Sequence, residues 1–117
     1  MDITIYHNPR CSKSRATLAL LEEHGHSPKI VRYLETPPSV AELARIVALL
    51  GVEPRDLIRT GEAAYQDLDL ANPDRKDDEL LQAMHEHPAL MQRPIVVTAD
   101  AARVGRPPAD VLEIVPC

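Results

Sequence analysis

Within the first 34 of its 117 residues the chain runs strand, helix, strand, and that order constrains the fold more than anything after it. The stretch Ile3, Thr4, Ile5, Tyr6 is β-branched and aromatic and reads as a strand. His7-Asn8-Pro9-Arg10 reads as a loop, marked by its Asn-Pro dipeptide. From Ser12 onward Ala16, Leu18, Ala19, Leu20 and Leu21 cover a broad helical face, with Gly25 as the stop. "KIVRYL", Lys29 to Leu34, then reads as a second strand. Two strands joined by one helix over so short a distance form a right-handed βαβ crossover, so they are parallel.

The middle of the chain changes character. Ser39 and Glu42 form a capping box for a helix with Val40, Leu43, Ala44, Val47 and Leu50 at helical spacing, closed by Gly51. Pro54 opens a short helix in "PRDLIRTG", "LDLANPDRKD" reads as a loop, and Asp77 caps a helix that Pro88 ends. Strand character returns in Pro94–Thr98, and Ala99–Ala101 turns the chain into a partner strand, Ala102–Arg106. Pro107-Pro108 starts a last helix. The order β-α-β, helical insert, β-β-α predicts an α/β fold: a thioredoxin-like mixed four-stranded sheet with flanking helices and a helical insertion at about 39–91. The length predicts one domain over 1–117.

The chain has no Trp and no Phe, and only Tyr6, Tyr33 and Tyr65 as aromatics, so Leu, Ile, Val, Ala and Met must pack its core. A formal charge of −5 argues against nucleic-acid binding, which needs a basic face. The opening residues lack the basic-then-apolar pattern of a signal peptide, and no apolar run is long enough to span a bilayer. The expectation is a cytoplasmic monomer that contacts no membrane. In a reducing compartment Cys11 and Cys117 are free thiols, Cys117 being an incidental one at the last residue.

Cys11 stands where the first strand hands over to the first helix. Its sulfur would lie over the unpaired N–H groups of the first turn, which favour a thiolate. Arg10, Lys13 and Arg15 add positive charge, and Ser12 and Ser14 can donate hydrogen bonds to the sulfur. These neighbours fit a nucleophile better than an inert core thiol. Ser14 occupies the position where a dithiol redox motif carries its second cysteine, so the resolving thiol must be Cys117 or belong to another molecule. Arg32, Arg45, Arg55, Arg75 and Arg103 read as solvated surface charge. Arg93 differs, because Pro94 is a candidate for the cis-proline that opens the third strand and faces the first helix in thioredoxin-like folds. Arg93 would then lie beside Cys11. The pairs His24/His26 and His85/His87 are spaced two apart, which suits solvated helix ends rather than a metal site.

"YHNPRCSKSR", "YLETPPS", "DLIR", "HPALMQRPIVV" and "RVGRPP" together resemble the glutaredoxin-coupled arsenate reductase family, in its short, single-domain members. The resemblance implies Cys11 as nucleophile, Arg59, Arg93 and Arg106 as oxyanion-binding arginines, and His7 and Ser14 as supports of the thiolate. It also implies arsenate or a similar oxyanion as substrate, glutathione as co-substrate, glutaredoxin as partner, and no bound metal or organic cofactor. Spx-like regulators share the fold family and bind RNA polymerase, commonly through a Cys-x-x-Cys switch that Ser14 removes here. A thiol-linked reductase of another substrate is the remaining alternative.

Overall fold

The computed structural model describes residues 2–115. Among them two compact units separate: the two ends of the chain, through Thr36 and from Arg93, form one, and Pro37–Gln92 forms the other.

The first unit holds the sheet. Strands β1 (Thr4–His7), β2 (Lys29–Arg32), β3 (Ile95–Val97) and β4 (Ala102–Val104) lie in the order β2-β1-β3-β4. β1 pairs parallel with β2, as the crossover through α1 (Ser12–Glu23) requires. β1 pairs antiparallel with β3, and β3 with β4. This is the thioredoxin-like mixed sheet that the element order predicts. Ile5 and Val96 are register partners, and with Ile3, Leu21, Val111 and Val115 they form a fully apolar core cluster. Its Val111 comes from a 3-10 helix, Pro108–Ile114, that packs on α1 and β4. At the sheet edge β2 is largely exposed, Ile30 at 46%.

Three local expectations change. β1 runs one residue further than the loop signal suggests, so His7 ends a strand and pairs in register with Arg32. β2 stops at Arg32, where a turn begins and leaves Leu34 exposed. On α1 the buried positions are Ser14, Thr17 and Leu21, while Ala16 and Ala19 face solvent. The apolar pattern is misleading here because the first two turns bury two polar residues, Ser14, which holds the preceding loop, and Thr17, which bonds the Lys13 carbonyl.

The second unit packs α2 (Val40–Leu50) on α4 (Asp77–Glu86), with 3-10 turns at Pro54–Leu57 and Pro88–Leu90 and a short α3 (Ala63–Asp67). Ser39 Oγ accepts the Glu42 N–H at 3.1 Å, and Gly51 closes α2 at φ 71°, where L-residues are strained. The N-cap of α4 is Lys76 rather than Asp77, and Glu79 accepts the Lys76 N–H at 3.3 Å. Leu43, Ile46, Leu57, Leu80, Met84, Leu90 and Met91 are buried, an aliphatic and methionine core. Arg55 and Arg75 are more than surface charge. Arg55 donates to the carbonyls of Leu70 (2.6 Å) and Asn72 (3.1 Å), and Arg75 donates to that of Leu68 (2.7 Å). The irregular loop between α3 and α4 leaves these carbonyls without ladder partners, and the two guanidiniums satisfy them.

Candidate active site

The site begins with a loop that is held from inside. Ser14 is fully buried on the first turn of α1. Its hydroxyl accepts the Asn8 N–H at 3.0 Å and lies 2.6 Å from His7 Nδ1. The Asn8 side chain accepts the Arg10 N–H (3.0 Å), and its carbonyl accepts the Cys11 N–H (3.0 Å). The four residues between strand and helix are thereby fixed to both. This corrects the expectation that the Ser14 hydroxyl serves the sulfur: it is spent on His7 and Asn8, and the Ser14 contribution to Cys11 comes from its backbone. Ser14→Ala leaves the buried Asn8 N–H and His7 Nδ1 unpaired, with an expected cost of about 2 kcal/mol in denaturant unfolding. Loss of less than about 0.5 kcal/mol would show the loop to be held by other contacts.

Cys11 is the N-cap of α1, half-buried. Burial pushes its thiol pKa up, the largest single influence. Against that, the Ser14 N–H, the Arg93 guanidinium and the Lys13 N–H stabilise the thiolate, and the net result is a pKa below the ordinary thiol value of 9.0. The helix N-terminus therefore acts as expected, through backbone donors. The His7 pKa is lowered too, which for a base favours the neutral form: burial first, then the charges of Arg32 and Arg15, bring it below 6.5, so the neutral imidazole prevails at pH 7. Arg15 is turned back onto the loop, donating to the Pro9 carbonyl at 2.9 Å.

Because the Cys11 pKa is lowered in the folded chain, the native state releases its thiol proton at lower pH than the unfolded chain does. The corresponding stability is present above the unfolded thiol pKa and is lost as pH falls through the folded one. Alkylation of Cys11 by iodoacetamide should accordingly show its inflection below that of the urea-unfolded protein. Coincident inflections would remove the case for an activated thiol.

Arg93 and Arg106 come from the far end of the chain. Each precedes a cis proline, Pro94 and Pro107, the second unforeseen in the sequence. Arg106 donates Nε to the Arg93 carbonyl at 2.8 Å and Nη2 to Cys11 Sγ at 3.7 Å. Arg93 Nε is buried and, among the described residues, has no hydrogen-bond partner. Between β4 and Arg106, Gly105 donates its N–H to the Pro94 carbonyl at 2.9 Å and lies against Thr17. Arg59 belongs to the second unit. There its backbone N–H binds the Leu90 carbonyl at 2.7 Å beside the Ile58–Met91 bridge, and Glu62 lies 3.8 Å from its Nε. Its Nη1 is buried without a partner among the described residues. Buried guanidinium N–H groups of this kind are costly unless an acceptor fills them.

Among the described residues no group of three or more His, Cys, Asp or Glu side chains is placed to hold a metal ion. His24 and His85 each donate Nδ1–H to a backbone carbonyl at 2.9 Å, of Leu20 and Pro38. Beyond the turn signal at Asn8-Pro9, no sequence pattern marks Asn8, Thr17 and Gly105 as shaping the site. Cys117 lies outside the described residues.

A model of the ArsC family matches residues 6–114. The chain belongs to the ArsC family. This family member is 52% identical over 114 residues to the uncharacterized protein YfgD of Escherichia coli K12, covering 97% of this chain and 96% of that one. It is 50% identical over 115 residues to a Haemophilus influenzae protein named arsenate reductase, covering 97% and 99%. Its structure superimposes on that of an arsenate reductase from Vibrio cholerae with a TM-score of 0.95 at 53% identity, over 98% of each chain. Among the described residues of this ArsC-family chain, no helix is long and apolar enough to cross a membrane.

Proposed function

We propose that this protein is an arsenate reductase of the thiol-dependent kind, with glutathione as co-substrate and glutaredoxin as the partner that resets it. The observation that carries the reading is the Cys11 thiol at a helix N-terminus, its pKa lowered, with Arg106 at 3.7 Å and Arg93 alongside. A thiolate framed by guanidiniums suits attack on a tetrahedral oxyanion, because planar N–H pairs match the oxygens of such an anion.

Arg93 and Arg106 bind arsenate, a local positive field prevailing over the net charge of −5. The Cys11 thiolate attacks arsenic and an arsenic oxygen leaves as water. Glutathione adds to arsenic through its thiol and a second water leaves. The As(V) centre then takes the electron pair of its bond to one sulfur and becomes As(III), while the two sulfurs join as a Cys11–glutathione disulfide. Water returns to arsenic to release arsenite. A glutaredoxin thiolate attacks the glutathione sulfur and frees Cys11. In sum, arsenate and two thiols give arsenite, one disulfide and one water. His7, neutral and tied to Ser14, keeps the loop in register. The protein's own residues supply binding, orientation and the nucleophile, and no step calls for a resident metal.

The test is arsenate-dependent NADPH oxidation in the presence of glutathione, glutathione reductase and glutaredoxin. Turnover that requires both arsenate and glutathione supports the reading. Absence of turnover with a reactive Cys11 would retain the nucleophile and discard arsenate as its substrate.

A further inference from the structure

A cleft of about 160 Å³ opens beside the nucleophile loop, lined by His7, Asn8, Pro9, Arg10, Arg32, Leu34 and Glu35. No step above uses Arg10, Arg32 or Glu35. All three are exposed, and among the described residues the side chains of Arg10 and Arg32 have neither an ion-pair partner nor a hydrogen bond. Two unpaired guanidiniums, one carboxylate and a half-exposed leucine thus share one concavity, in a chain whose net charge is negative. The cleft is one residue from Cys11, since Arg10 precedes it and the Asn8 carbonyl holds its N–H. At this volume it cannot enclose a whole small molecule, which takes roughly 300 Å³ or more. It can seat the charged groups of a ligand that lies partly outside it, with the ligand's thiol at the Cys11 sulfur.

We propose that this cleft is the docking site of the reducing thiol, and that it selects a peptide thiol carrying two carboxylates and one ammonium. The proposal rests on the reading of the protein as a thiol-linked reductase. Arg10 and Arg32 take the carboxylates, Glu35 takes the ammonium, and Leu34 covers the aliphatic stem. The cleft's charges, two positive and one negative, are the inverse of glutathione's. The arginines that bind the oxyanion remain free for it, so the two substrates do not compete for the same cations.

Thiol–disulfide exchange tests the cleft without arsenate. The Cys11 thiolate attacks one sulfur of glutathione disulfide, the Cys11–sulfur bond forms as the old S–S bond breaks, and one glutathione leaves as its thiolate. No further oxidant or reductant is consumed. The rate is measured against that with the neutral 2-hydroxyethyl disulfide, so changes in Cys11 reactivity cancel. Arg32→Gln and Arg10→Gln should each lower the glutathione-to-neutral rate ratio about five- to tenfold. Glu35→Gln should lower it too, about threefold, because the ammonium loses its partner. Unspecific attraction of an anion predicts the opposite for Glu35→Gln, since removal of a negative charge would raise the ratio. A ratio unchanged in both arginine variants, or raised in Glu35→Gln, overturns the proposal. Loss of the ratio in these variants while arsenate turnover is absent from the wild type would uphold the docking site and discard arsenate alone.

Discussion

Arsenate-dependent NADPH oxidation is expected to fall to the no-enzyme background, at least about 10³-fold, when Cys11 is replaced by serine. Serine keeps the N-cap geometry and is the better capping residue, so the variant should fold at least as well as the wild type. What it loses is chemical. The backbone donors of Ser14 and Lys13 and the charge of Arg93 lower the pKa of the thiol. The same neighbours leave a serine hydroxyl protonated at neutral pH. Oxygen also cannot form the disulfide that carries the two electrons away from arsenic. Cys117→Ser, by contrast, should retain near-wild-type turnover, because an external thiol resolves the intermediate. Equal loss in both variants would make Cys117 the resolving residue and sink the external-thiol scheme.

The second large effect is on stability. Gly105→Val should destabilise the protein by about 3 kcal/mol, lowering the midpoint of thermal unfolding by roughly 10 °C. A Cβ at this position would meet the Thr17 hydroxyl and come within 2.8 Å of Pro94 Cγ. Neither neighbour can withdraw cheaply. Thr17 is fully buried and its hydroxyl is bound to the Lys13 carbonyl at 2.8 Å, and Pro94 is part of a closed ring next to β3. The strain also bears on the site, since Gly105 immediately precedes Arg106. Gly61→Val is the control, because a Cβ there meets nothing within 4 Å. Equal midpoints for the two variants would show that the Thr17 side of α1 yields, and that the close approach at Gly105 has no structural consequence.

Much of the fold was legible because it rests on local patterns. The Ser39 cap on the Glu42 N–H, the stop at Gly51, the hairpin after Pro94 and the βαβ order are all in the structure, though Glu42 meets the Ser39 hydroxyl rather than completing the box on its N–H. The final 3-10 helix, read simply as a helix, differs only in its winding. The buried face of α1 escapes the sequence pattern because apolar periodicity assumes that a buried face is apolar. Here Ser14 and Thr17 take buried positions to serve a loop and a glycine that the pattern does not contain. Arg55 and Arg75 pass for surface charge in the sequence for a related reason: whether an arginine is solvated depends on carbonyls that only the folded loop presents.

By itself the sequence determined the strand–helix order, the helix stops, the aliphatic core and the location of Cys11 at the start of α1. These follow from short-range sterics and hydrogen bonding along the chain. Only the tertiary structure decided that Arg106, 95 residues away, donates to the Cys11 sulfur and that the Ser14 hydroxyl turns to His7 and Asn8. The physical reason is one of distance and competition. A guanidinium's partner across the sheet is set by the pairing of β3 and β4. A hydroxyl within reach of several acceptors and donors goes to those that burial leaves otherwise unpaired.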